Sequence, residues 1–169
     1  MEVSRSTYTA LGGDRVSAVT IVDIDTTNEH ATLICDLCAP RSLPAQHFDC
    51  IILTQTLHLL PDLACAIDNL WNALAPGGVL LLTVPALSRN DPIDGDFWRF
   101  TPAGLRRLLS SALPATASIE VTGFGNAIAG AASFLGLAVE DVGPEHLART
   151  DDAFPVVVAA RVTKTVGSP

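Results

Sequence analysis

Residues 48–85 read FDCIILTQTLHLLPDLACAIDNLWNALAPGGVLLLTVP. Two apolar runs, Cys50–Leu53 and Val79–Val84, enclose a stretch with helical apolar spacing and a Pro-Gly-Gly turn. This order spells strand, helix, turn, strand. Both runs are apolar at successive positions, so each strand needs cover on both faces. That is the signature of a parallel sheet flanked by helices. Such sheets bind ligands beyond the carboxyl ends of their strands. The polar tip Thr54-Gln55-Thr56 and the loop after Val84 occupy those ends.

The remaining chain extends the pattern. Val19–Val22 and Ala31–Cys35 read as strands that end in Asp23-Ile24-Asp25 and Asp36-Leu37. The helix is expected over Asp62–Leu74, started by Pro61 and stopped by Ala75-Pro76-Gly77-Gly78. Its Leu63–Leu74 stripe is expected to be core. A Pro- and Asp-rich loop, 85–100, precedes a second helix capped by Thr101-Pro102 and running to about Ser111. Ser118–Thr122 reads as a strand, 123–140 as a small-residue helical stretch, and Phe154–Thr165 as a last strand. The expected fold class is α/β, a doubly wound Rossmann-like sheet, mostly parallel with an antiparallel last strand. All 169 residues are expected to form one domain.

Composition narrows the function. Hydrophobic residues make up 49% and charged residues 17%, as in a globular chain. The net charge is −8 and Arg106-Arg107 is the one basic pair, so no nucleic-acid partner is expected. No apolar run approaches the roughly 18 residues that span a bilayer, and no basic-then-apolar leader opens the sequence. A cytoplasmic protein with no membrane partner is expected, its four cysteines reduced. Cys35 and Cys38 form a lone CxxC without matching ligands elsewhere, so no metal site is expected.

Four segments together resemble the class I S-adenosylmethionine-dependent methyltransferases, and within them the type 11 group. They are the strand ending at Asp23-Ile24-Asp25, Cys35-Asp36-Leu37, Phe48-Asp49 through Pro61-Asp62, and Leu74-Ala-Pro-Gly-Gly-Val-Leu-Leu-Leu82. The resemblance runs from about Val19 to Ala160. It implies S-adenosylmethionine as cofactor, Asp23 on the ribose hydroxyls, and Asp36 with Leu37 at the adenine. Thr54 and Gln55 would form the pocket floor. It also implies that the last strand pairs antiparallel with Ser118–Thr122. One departure stands out. Glu2 falls where the family has an acidic residue, and Ser4–Tyr8 falls where it has glycines, so residues 1–18 read as the remnant of a shortened first strand and cofactor loop. Glu2 and Tyr8 are still expected to contact the cofactor.

Methyl transfer to a hydroxyl is helped by a base, and His58 is the histidine nearest the expected site. A packed structural role is the stronger competing reading, because Leu57 and Leu59 flank it. Trp98 and Arg99 could bind the acceptor, or the aromatics here could anchor the next helix. The expected function is methyl transfer to a small-molecule or glycan-like acceptor. The alternative is an inactive module of the same fold with a binding role. A nicotinamide-dependent oxidoreductase is a weaker third reading, since it too needs a glycine-rich first turn.

Overall fold

The computed structural model describes residues 12–91 and 95–165. It divides into two compact units, Met1–Asp36 and Leu37–Pro169. Glu2 and Tyr8, and with them the first-strand remnant, lie outside the described residues.

Within the first unit, β1 (Val22–Asp23) pairs in parallel with β2 (Leu33–Ile34). Both strands are shorter than their apolar runs predict. The cause is Thr32. Its hydroxyl accepts from the Ile21 amide at 2.8 Å, while the Ile21 carbonyl serves both Thr32 N and Leu33 N. A side chain thereby takes a place that a regular backbone ladder would fill. The short link between the strands is a turn built on side-chain oxygens. Asp25 Oδ1 accepts from Thr27 N and Thr27 Oγ1, and Asn28 Oδ1 accepts from His30 N.

The second unit is a four-stranded sheet of order β3-β4-β6-β5. Its strands are β3 (Phe48–Thr54), β4 (Leu74–Pro85), β5 (Ala117–Phe124) and β6 (Val157–Lys164). β3 and β4 run parallel, and β6 is antiparallel to both β4 and β5. The antiparallel pairing of the last strand, implied by the resemblance, is what the structure has.

Helix α1 (Leu63–Ala73) starts where the Asp62 carboxylate accepts from Cys65 N at 3.0 Å. Its stripe Ala66, Ile67, Leu70 and Ala73 is fully buried, as expected of core. α2 (Pro102–Ala112) has Thr101 as its cap, accepting from Gly104 N at 3.0 Å. Both helices pack on one face of the sheet, against Leu53, Leu80, Leu82, Val84, Val158, Ala160 and Val162. Burying each such leucine contributes about 1.5–3 kcal/mol. The opposite face differs from the double cover that the apolar runs suggest. There Ile52 and Leu81 are about 40% exposed, beside the exposed Arg161–Glu120 ion pair.

The Pro-Gly-Gly turn does more than stop α1. β4 begins at Leu74 opposite Phe48, and the register shifts before Cys50 meets Val79. Gly77 takes φ 83° within this irregularity. At Gly78 a Cβ would lie 2.9–3.3 Å from the carbonyl oxygens of Ala75, Phe48 and Asp49. Only glycine fits where two backbones come so close.

The helical stretch after β5 is shorter than its composition suggests. α3 (Ala127–Leu135) ends at Gly136, whose φ of 69° is left-handed. Two short turns follow, α4 (Val139–Val142) and α5 (Pro144–Leu147).

Candidate active site

In the first unit, the register Asp23↔Ile34 sends Asp23 and Asp36 out of the same carboxyl end of the β1–β2 pair. Asp23 is part-buried. Its Oδ1 accepts from Asp25 N at 3.0 Å and its Oδ2 from Asn28 Nδ2 at 2.6 Å. These bonds hold its carboxyl below the usual range, the Asp25 amide having the largest effect. Each oxygen still has a lone pair for a further donor. Asp25, one turn position on, is spent on Thr27.

At the start of the second unit, Leu37 packs against the core, and its carbonyl is fixed by a buried asparagine. Asn69 is 3% exposed and sits on α1. It donates to Leu37 O and Ala39 O, both at 2.8 Å, and accepts from Arg41 N at 2.9 Å. Sequence reasoning missed Asn69. A lone polar residue inside an apolar helical stripe was the available signal.

At the end of β3 the chain turns sharply. Thr54 is half-buried, and its carbonyl accepts from Thr56 Oγ1 at 2.9 Å. Gln55 takes φ 48°, a left-handed conformation unusual for a residue with a side chain. Its amide donates to Thr83 O and its Nε2 to Thr83 Oγ1, so the tip is tied to β4.

A short 3-10 turn, Leu57–Leu59, carries His58. Leu57 is fully buried and anchors this turn. The loop after β4 folds back onto it. Phe97 N and Trp98 N both donate to His58 O, and Trp98 Nε1 donates to Leu60 O at 2.9 Å. Phe97 and Trp98 remain about half exposed, while Phe100 is buried; of the three aromatics, Phe100 is the core anchor.

Asp96 stands at the centre of this arrangement, and sequence reasoning passed over it. Its side chain is 4% exposed. Arg99 donates to it through both terminal nitrogens, at 2.5 and 2.7 Å, and Asp91 N donates to Oδ2 at 2.8 Å. The remaining bonds of these guanidinium nitrogens go to Trp98 O and Arg89 O. Arg99 is therefore committed to its own loop. The His58 Nε2 atom lies 3.9 Å from Asp96 Oδ1, and His58 Nδ1 is buried with no hydrogen-bond partner among the described residues.

Burial pushes the His58 imidazole below its ordinary 6.5; the Asp96 charge opposes this and Arg99 adds to it. Arg99, chiefly by hydrogen bonding, holds the Asp96 carboxyl far below the usual carboxylate range. The two signs give a pH prediction. His58 resists protonation when folded, so stability is highest above about pH 6.5 and declines as pH falls through that value. Asp96 and Asp23 stabilise the fold as anions, and that contribution is lost as pH falls below their ordinary value of 3.8. Urea midpoints measured from pH 8 to pH 3 are expected to fall in these two stages. A flat profile would contradict the assignment.

A concavity of about 730 Å³ opens elsewhere, at the N-terminus of α3, lined by Asn126, His146, Arg149 and Asp151 among others. Its buried amide is already employed. Asn126 Oδ1 caps α3 at Ala129 N, and Nδ2 donates to His146 O and Arg149 O. The polar groups here hold a loop to a helix.

The family model described as "Methyltransferase domain" matches residues 9–113, well over half of the chain. The chain belongs to the class I S-adenosylmethionine-dependent methyltransferase domains. Among curated proteins, "Probable polyketide synthase 10" of Dictyostelium discoideum is 37% identical over 71 residues, 40% of this chain and 3% of that synthase. The methyltransferase domain thus corresponds to a small fraction of that relative's length.

Solved structures agree on the fold. A SAM-dependent methyltransferase from Archaeoglobus fulgidus covers 85% of this chain and 74% of its own, with 14% identity and a TM-score of 0.52. Phosphoethanolamine N-methyltransferase 2 of Haemonchus contortus, solved with S-adenosyl-L-methionine, covers 78% of this chain and 36% of its own, with 13% identity and a TM-score of 0.50. At such identities the likeness is one of fold. No helix among the described residues is long and apolar enough to cross a membrane.

Proposed function

We propose that this methyltransferase domain moves a methyl group from S-adenosylmethionine to a small-molecule or glycan-like acceptor through an O–H or N–H group. One observation carries the reading. The family match over residues 9–113 contains Asp23, Asp36, Leu37, Thr54, Gln55, His58, Trp98 and Arg99 in a single span. The chemistry of the residues fits the adenosyl half of the cofactor. Asp23 and Asp36 leave the same end of a parallel strand pair. A carboxylate with free lone pairs accepts from a vicinal diol, and a second accepts from an exocyclic amine. Leu37, Thr54 and Gln55 belong to the second unit and enter this reading through the family match, which spans both units. Roles for Glu2 and Tyr8 at the amino-acid end remain part of this proposal.

When bound, the cofactor supplies a methyl group on a positively charged sulfur, which leaves as a neutral thioether. The protein's task is alignment and exclusion of water. Trp98 offers an exposed ring for the acceptor to lie on. His58, neutral at physiological pH, can take the proton from the acceptor as its heteroatom bonds to the methyl carbon. The electron pair of the broken carbon–sulfur bond stays on sulfur, so charge and protons balance.

Titration calorimetry with S-adenosylmethionine tests the reading. Saturable heat is expected, with a rise in melting temperature. At a hundred times the dissociation constant the stabilisation would be about 2.7 kcal/mol. Neither heat nor a thermal shift at millimolar cofactor would remove the proposal.

A further inference from the structure

The lone CxxC spacing sets Cys38 beside Cys35 in sequence, but the fold also brings Cys38 against Cys65, 27 positions on. Asn69 on α1 holds the carbonyls on both sides of Cys38, those of Leu37 and Ala39. So held, the Cys38 carbonyl accepts from Cys65 Sγ at 2.9 Å. In the other direction Cys38 Sγ lies 3.7 Å from the carbonyl of Asp62, the residue that caps the turn carrying Cys65. Each sulfur therefore reaches the backbone of the other's segment. Both residues are thiols, both are partly exposed, and both belong to the second unit. Disulfides span roughly 4.4–6.8 Å between Cα atoms. A sulfur resting on the other cysteine's own carbonyl brings the pair near that span. Side-chain rotation and a small shift of the 37–41 segment supply the rest.

We propose that Cys38 and Cys65 are a thiol pair that low-molecular-weight disulfides oxidise, closing a reversible covalent staple between the 37–41 segment and the first turn of α1. The exchange takes two steps. The Cys38 thiolate attacks one sulfur of the small disulfide, whose S–S bond breaks and expels a thiolate. The Cys65 thiolate then attacks Cys38 Sγ in the mixed disulfide and expels the second. The two protons lost by the protein end on the two expelled thiolates, so one small disulfide is reduced to two thiols. Burial, and after it the Asp62 charge, pushes the Cys65 thiol up. That suits Cys65 to the second step, in which its target sulfur is already delivered to it. The closed loop restricts the unfolded chain, so the oxidised form is the more stable. None of this depends on the methyl-transfer reading.

The test uses the full chain carrying Cys35→Ser and Cys50→Ser, which leaves this pair as its only cysteines. It is incubated with a mixture of oxidised and reduced glutathione. Mass spectrometry is expected to show the loss of two hydrogens, and the peptide map a Cys38–Cys65 cross-link. The melting temperature should rise by about 5 °C or more and return with dithiothreitol. Glutathione adducts that persist without the cross-link overturn the proposal, as does a disulfide between two chains. A cross-link that leaves the melting temperature unchanged or lower overturns the staple. The wild-type chain gives an independent reading should the double variant not fold. There the same cross-link is expected, located by tandem fragmentation, and closure of Cys35 onto Cys38 in its place overturns the pairing.

Discussion

Asn69→Ala will destabilise the protein by about 2–4 kcal/mol, the largest loss expected from a single polar side chain here. The residue is 3% exposed and makes three bonds to the backbone of residues 37–41. Truncation leaves two carbonyls and one amide without partners. Water can reach part of this loop, which keeps the cost below the sum of three fully buried losses. Arg41 adds a second reason. It sits at φ 57°, a conformation that a non-glycine residue keeps only while its amide is held. Asn69→Asp retains the acceptor for Arg41 N but loses both donations and brings in a buried charge, so it should be no better tolerated. Urea midpoints of the two variants test this. A shift under about 1 kcal/mol would mean that the loop finds other partners. On the role proposed for Leu37 at the adenine, cofactor binding should weaken in the same variants, because the same amide holds Leu37 O.

Asp23→Ala is expected to weaken S-adenosylmethionine binding about 10–100-fold, the loss of one or two charge-assisted hydrogen bonds. The fold should survive, since the Asp25 amide and Asn28 lie in a partly exposed turn where water can replace the carboxylate. The needed control is Asp25→Ala. That carboxylate holds Thr27 and is spent within the turn. If both variants weaken binding equally, the turn matters and the Asp23 carboxylate does not. If neither does, the ribose assignment is wrong. Calorimetry on both, with circular dichroism to confirm folding, decides among these outcomes.

What the sequence disclosed follows the range of the forces involved. β3, α1, β4 and α2 could be read because their signals are local: apolar period, Pro61 ahead of the helix, Thr101 before Pro102. The strand partners of β6 became readable only through resemblance, since pairing between residues 40 apart leaves no local mark. The ends of β1 and α3 were misjudged for physical reasons. Thr32 diverts the hydrogen bonds of Ile21, and Gly136 turns left-handed inside a stretch whose small residues look helical. The site divided in the same way. Asp23, Asp36 and the 54–55 tip lie where strands end and could be named. Asn69 and Asp96 could not, because their importance comes from burial. Asn69 reaches residues some 28–32 positions upstream. Asp96 resembled any loop carboxylate until its 4% exposure and its hold on Arg99 were visible. Arg99 was named as an acceptor contact, yet its donors go to Asp96, Trp98 O and Arg89 O within its own loop.

β6 lies between β4 and β5, although both precede it along the chain. During synthesis two ready-made strands must therefore wait, edges bare, until residue 164 has cleared the ribosome. Lys164 then donates to Trp71 O and Leu74 O, some 90 residues back, as the central gap fills. Birth of this domain is accordingly all-or-none: a nascent chain stopped near residue 150 would present two sticky ribbons to chaperones and proteases, and mutations that slow the arrival of its final segment should lower yield in cells more than they lower equilibrium stability.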